Sequence, residues 1–345
     1  MKIALQASLA LLAVAVAAPA SADVIHVPLD ANTIQAGVDM AQAGDTVIVA
    51  NGIWTGKGNR DVVIPGYDIV VRSANGPANC IIDSQGLETE THRAFYLDGA
   101  NTRATVIEGF TITGGETLPG AVQDQFNAGG ILIRSGSPTI RGCTLEGNNC
   151  SCWGGALCSS SAGMPRVTQC MFRNNHSDAE GGALFQWGLG ELHVDNSVFI
   201  GNSSTQGGAL FSFGTVVLDH VTVTDNHATW GAGSAYLQTS QITNSIFWGN
   251  TSQQAGAEQL DAWNSTVAFS LVEGGHAGTN IMDANPRFRA DGWRLRGYVS
   301  PCVNAGVPGM RGYRHAVDFL GNRRRSALRV DMGAHEVPIG IAYSR

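Results

Sequence analysis

The sequence predicts an all-β protein built as a single-stranded right-handed parallel β-helix, with a short N-terminal capping helix and an irregular C-terminal cap. Three observations point there: an internal repeat, a strand-like alternation within each repeat, and a composition rich in turn residues. The repeat is marked by Asn148, Asn175, Asn202, Asn226 and Asn250, separated by 27, 27, 24 and 24 residues. Three places before them stand Leu145, Phe172, Phe199, Val223 and Phe247, and two places earlier again Cys143, Cys170, Ser197, Val221 and Ser245. Gly pairs recur at 129–130, 154–155, 181–182 and 207–208, degrading to Gly-Ala-Gly at 231–233. Gly reaches 44 of 345 residues and charged residues only 14%, with no collagen period, which suits short strands joined by tight turns.

The period excludes the main alternatives. It is too short for a propeller blade. Val, Ile, Thr, Phe and Gly stand where a helical repeat would want Ala, Leu, Glu and Lys. The small, outward, large alternation has the period of a strand. Coils stacked about 4.8 Å apart turn equivalent side chains into ladders. The Leu145, Phe172, Phe199, Val223 and Phe247 ladder should fill the core. The Asn ladder should lie at a bend, where a residue must tolerate the left-handed region and bond neighbouring backbone. The Gly pair should form a second bend that leaves no room for a Cβ. The N-x-[ST] matches at Asn175, Asn202 and Asn250 follow from this ladder rather than from glycosylation.

Taken in order, residues 1–22 read as a secretory signal peptide: Lys2, an apolar run, and Ala-Ser-Ala at 20–22 with cleavage near Ala22. Residues 23–44 form an N-terminal cap, in which Ile34, Val38 and Ala41 share one face of a short helix over the first coil. Residues 45–283 hold the β-helix, 284–336 a closing unit, and 337–345 a tail. Both ends of such a stack are unpaired edges that need covering.

Without Lys2, 20 Lys and Arg face 28 Asp and Glu, a net charge near −8, and Lys57 is the remaining lysine. This balance argues against nucleic acid or an anionic membrane surface as partner. "NRRRS" at 322–326 is the basic exception and reads as a solvated patch. No membrane span is expected in the mature chain. Of seven Cys, four lie close together: Cys150, Cys152, Cys158 and Cys170. Their spacing lacks the paired C-x2-C of a zinc site, so they read as small buried residues or a local disulfide. Cys143 and Cys170 share one coil position and should point inward on adjacent coils, with a bond between them left open.

The GGA[LI] and FxxN motifs resemble the repeats of chlamydial polymorphic outer-membrane proteins. The opening "TIQAGVDMAQAGDTVIVANGIWTG" is similar to the start of the pectin-lyase-like right-handed β-helix superfamily. The end resembles the closing unit of bacterial secreted β-helix proteins, on Asn285, Pro286 and Phe288; Ser300, Pro301 and Gly306; Asp318, Gly321 and Arg324; and Asp331, Gly333, Ala334 and Glu336. These resemblances imply the fold. The chlamydial proteins carry a C-terminal membrane barrel, and this chain ends nine residues after Glu336, so autotransport is not expected. Nor does the chain match the calcium ligands and Arg base of pectate lyases residue by residue, so no catalytic residue carries over.

Chemistry concentrates in the loops between Asn and Gly-Gly. Trp153, His176, Asp178, Glu180, His227 and Trp230 are the candidate substrate-binding residues. Asp178 and Glu180 are candidate calcium ligands through their carboxylate oxygens, His a proton acceptor, and Trp a stacking surface for a sugar. The plainer reading is a solvated loop edge. Phe185 and Phe211 match in coil position, as do Trp187 and Phe213; exposed they would suit polysaccharide, buried they are packing. Two functions follow. One is a secreted protein binding polysaccharide or a cell-surface partner along its flank. The alternative is a polysaccharide lyase acting on uronate polymers by β-elimination, or a related carbohydrate-active enzyme.

Overall fold

A computed structural model describes residues 22–87, 90–117, 128–160, 162–308, 317–324 and 329–338, without the Tyr298 side chain. The expected leader, Ala22 apart, lies outside the described residues, as do residues 339–345 of the tail. Every strand-to-strand ladder is parallel, and a nine-stranded sheet from Gly52–Trp54 to Leu271–Val272 counts nine coils. A 16-stranded sheet forms the other walls, and a five-stranded sheet a short flank. Among the described residues no helix is long and apolar enough to cross a membrane.

The expected core ladder is present and extends further. Ile82, Ile112, Leu145, Phe172, Phe199, Val223, Phe247 and Val272 stand in register and all are buried. Phe172 and Phe199 stack in parallel with centroids 4.6 Å apart. Each such side chain contributes about 1.5–3 kcal/mol by leaving water.

The Asn ladder is buried and continuous. Nδ2 of Asn148 donates to Oδ1 of Asn175 at 3.0 Å, and the same bond recurs to Asn202, Asn226 and Asn250 at 2.9, 2.9 and 2.8 Å. Gln259 ends the series by accepting from Asn250 at 3.1 Å. The left-handed residue is not the ladder Asn, as expected from sequence, but the one before it: Gly147, Asn174, Gly201, Asp225 and Gly249 all have positive φ. The Asn side chain is used for its two-sided amide instead. At the Gly-Gly bend, Gly154, Gly181 and Gly207 take positive φ, and a Cβ on Gly155 or Gly182 would overlap a carbonyl of the next coil.

Cys143 and Cys170 point into the core as expected, and both thiols are free. Each Sγ donates to the carbonyl two residues back, Arg141 at 3.4 Å and Thr168 at 3.3 Å. The hydroxyls of Ser197 and Ser245 make the same bond at 2.8 Å. Four of the five coils thus hold a small donor at this position and no disulfide, while Val221 fills it in the other.

The change of period has a local cause. Four residues, 187–190, separate Leu184–Gln186 from Glu191–Asp195, whereas in the next coil one strand, Leu210–Asp219, spans both with two residues, 213–214, between Ser212 and Thr215. One residue more is lost where His176–Glu180 pairs with Ser203–Gln206 through a register shift. Two and one make the difference between 27 and 24.

The helix Ile34–Met40 covers the first coil, with the Thr33 hydroxyl accepting from Ala36 N–H at 3.2 Å. Ile34, Val38 and Ala41 are buried against the wall, and Gly37 lets the helix approach Val27 and Val47.

The closing unit shares a hydrophobic cluster with Leu271, Phe269 and Met282 of the last coil, where bridges Ala268–Thr279 and Leu271–Met282 extend the stack. It runs back along the outer face of the nine-stranded sheet, because Met171, Val198, Ile200, Ile246 and Trp248 present apolar side chains there. Arg324 anchors it, donating to Asn196 Oδ1 at 2.7 Å, Gly333 O at 3.0 Å and Glu336 Oε2 at 3.2 Å. Asp318 accepts from Glu336 N–H at 2.9 Å, and Asp331 from Asn304 and Val337 N–H at 2.7 Å each. Burial, then the neighbouring Asp331, pushes the Glu336 carboxyl up to about 7. Burial pushes His335 down to about 4. The Asp318, Arg324, Asp331 and Glu336 motif is therefore a buried fastening.

Candidate functional site

The five-stranded flank exists because the Asn bend and the Gly-Gly bend lie only a few residues apart. Its outward row runs Asn149, His176, Ser203, His227 and Thr251. The row is knit by polar contacts: His176 Nδ1 to Ser203 Oγ at 2.9 Å and His227 Nδ1 to Thr251 Oγ1 at 2.9 Å. His176 Nε2 meets Asp178 Oδ1 at 3.1 Å. Ser203 separates the two His, which places them roughly 10 Å apart at the spacing of neighbouring strands.

Glu180 is set apart from Asp178. It bridges to Trp153 and lies half-buried at the next corner. Burial raises its carboxyl above the ordinary range, opposed by a hydrogen bond from Trp153. Its Oε2 is buried and has no hydrogen-bond partner. Gln206 pairs with Glu180 one coil on, and Trp230 N–H donates to Thr205 O at 2.8 Å one coil further. The six expected residues thus divide into a His176–Asp178 pair, a Trp153–Glu180 pair, and His227 and Trp230 further along. They do not form one cluster.

Nor do the two carboxylates fit calcium, which takes six to eight oxygen ligands. Asp178 is exposed and engaged by His176, while Glu180 is held against Trp153. Among the described residues no group of three or more His, Cys, Asp or Glu side chains is arranged to hold a metal ion.

The adjoining wall is where the aromatics gather. Tyr96, Leu132, Cys158, Phe185, Phe211, Tyr236 and Asp261 form one outward column. Phe185 stacks on Phe211 at 5.6 Å and Phe211 on Tyr236 at 4.8 Å. This column belongs to a cluster separate from the core inside the helix. Phe185 and Phe211 are nevertheless buried, because a second aromatic layer covers them. Trp153 stacks on Phe185 at 5.3 Å and on Trp187 at 5.5 Å. Trp187 meets Phe213 edge to face at 5.3 Å. The outer rings remain open, Trp187 at 53% and Phe213 at 41% exposure. Trp263, also exposed, follows in the same column with Gln238 between.

The sequence places Phe185 with Phe211 and Trp187 with Phe213 at matching coil positions, which suit polysaccharide if exposed and packing if buried. The structure assigns burial to the first pair and exposure to the second. The signal available was the position of the second pair, one residue past the strand's last inward place. Asp98 and Arg134 border this column, with Arg134 Nε 4.0 Å from Asp98 Oδ2.

Coils, ladders and an outward aromatic layer define a parallel β-helix protein with a patterned flank. The chain belongs to the right handed beta helix region family, whose model matches residues 93–285. Among solved structures, a crystal structure of the pectate lyase Pel9A is similar over 92% of this chain and 97% of that chain, with 15% identity and a TM-score of 0.47. The comparison with curated proteins finds no match.

Proposed function

We propose that this protein binds polysaccharide along the flank of its β-helix. The observation that carries the reading is the two-layer aromatic face, with Trp187 and Phe213 exposed over buried Phe185 and Phe211. An outward wall of a solenoid needs no aromatic layer for stability. Exposed rings held rigid from below offer contact area at low ordering cost, and the polar His176 to Thr251 row beside them can bond sugar hydroxyls. The leader-like residues 1–22 support secretion, which would place the face among extracellular or cell-surface glycans.

The test is retention in affinity electrophoresis on gels containing glycans. The double variant Trp187→Ala, Phe213→Ala should lose about tenfold or more in affinity, at roughly 1 kcal/mol per ring. Its unfolding midpoint should fall modestly, since the two half-exposed rings also cover Phe185 and Phe211, so affinity is compared at a temperature where circular dichroism shows the variant folded. Full retention by the variant would refute the aromatic face as the binding surface.

A further inference from the structure

Resting on the glycan-binding reading above, we infer that the aromatic face takes an uncharged polysaccharide and rejects uronate polymers. The charge pattern around the exposed rings carries this. Three carboxylates border the face: Asp98 beside Tyr96, Glu180 against Trp153, and Asp261 at the end of the Tyr236 column. One guanidinium, Arg134, stands among them, and it faces Asp98 at 4.0 Å. Tyr96 Oη donates to the same Asp98 oxygen at 3.2 Å. Arg93, which interacts electrostatically with Tyr96, is buried.

The rim therefore carries an excess of negative charge, and its cation is already matched. A uronate polymer brings a carboxylate on every residue and would set like charges against Glu180 and Asp261. Like charges close together disfavour a complex at low salt and are screened as salt rises. A sugar hydroxyl instead donates to a carboxylate, which can only accept when ionised. The same rim that repels a uronate thus offers hydrogen-bond partners to a neutral sugar.

The experiment compares soluble mixed-linkage β-glucan and galactomannan with polygalacturonate, using the mature protein and isothermal titration at 50 and 500 mM NaCl. The expected result is binding of at least one neutral polymer, unchanged by salt, with polygalacturonate at least tenfold weaker at low salt. Asp98→Asn with Asp261→Asn should narrow that gap, strengthening polygalacturonate binding at 50 mM NaCl by more than it alters binding of the neutral polymer. Polygalacturonate binding as tightly as the neutral polymers would overturn the charge argument and leave the glycan-binding reading standing. Binding of none of the three would overturn both. Self-association through Trp187 in place of glycan binding, seen as a concentration-dependent sedimentation shift abolished by Trp187→Ala, would likewise overturn both.

Discussion

Removing the central amide of the Asn ladder should be among the most damaging single changes in the protein. Asn202 lies buried between Asn175 and Asn226. Its Nδ2 donates to Phe172 O at 3.0 Å and Asn226 Oδ1 at 2.9 Å, and its Oδ1 accepts from Asn175 N–H at 3.0 Å and Asn175 Nδ2 at 2.9 Å. Asn202→Ala deletes all of these. Asn226 Oδ1 keeps its bond from the Asn202 backbone at 2.9 Å, and Asn175 Nδ2 keeps Leu145 O at 2.9 Å. The Asn175 backbone N–H is left without this acceptor, the second Asn175 amide hydrogen has no partner, and Phe172 O loses a donor. An unsatisfied buried group costs about 1–3 kcal/mol, so the variant should lose roughly 3–5 kcal/mol. Against a total of about 5–15 kcal/mol this is a large fraction. Urea unfolding followed by far-ultraviolet circular dichroism measures it, with exposed Asn149→Ala as the control at under about 1 kcal/mol. A loss for Asn202→Ala equal to that of the control would refute the claim that the ladder holds the coils together.

Further outcomes follow from other parts of the molecule. Phe172→Ala opens a cavity beside its stacked partner Phe199 and should cost about 3–5 kcal/mol in the same assay; under 1 kcal/mol would contradict its place in the core. Glu336 is held at about 7 in the fold, above its ordinary 4.5, so the folded state binds the extra proton and stability should fall as pH rises from about 4.5 to about 7. His335, held at about 4, acts oppositely: its neutral form is favoured, so stability rises between about pH 4 and 6.5. Wild type should therefore be nearly flat from 4.5 to 6.5 and decline just above, while Glu336→Gln should show the rise alone; identical pH profiles would refute this. All seven thiols are free, and burial lifts those of Cys80, Cys152 and Cys302 to about 12. Iodoacetamide at pH 8 should label the native protein slowly, and the denatured, unreduced protein seven times by mass; fewer labels would reveal a disulfide.

The fold was legible because a solenoid writes its geometry locally and repeatedly. The spacing of Asn148 to Asn250, the large residue three places before each, and the Gly pairs recur because each coil must meet the same neighbours above and below. The small inward position shared by Cys143 and Ser197, and the capping face of Ile34, Val38 and Ala41, followed from the same logic. The chemistry of the bend was less legible: the ladder Asn was expected to supply the left-handed turn, but that turn falls one residue earlier and Asn supplies a two-sided amide. Only tertiary structure decided where the non-repeating parts lie. Arg324 meets Asn196 across 128 residues of chain, so nothing near either residue announces that the closing unit runs back along the wall. The same holds for the candidate site. Glu180 pairs with Trp153 apart from His176 and Asp178 because the strand His176–Glu180 shifts register after Ser177, and Phe185 is buried because Trp153 and Trp187, from separate loops, close over it. Spacing along the chain sets which side chains share a column, but which columns are covered depends on segments that return from elsewhere to cover them.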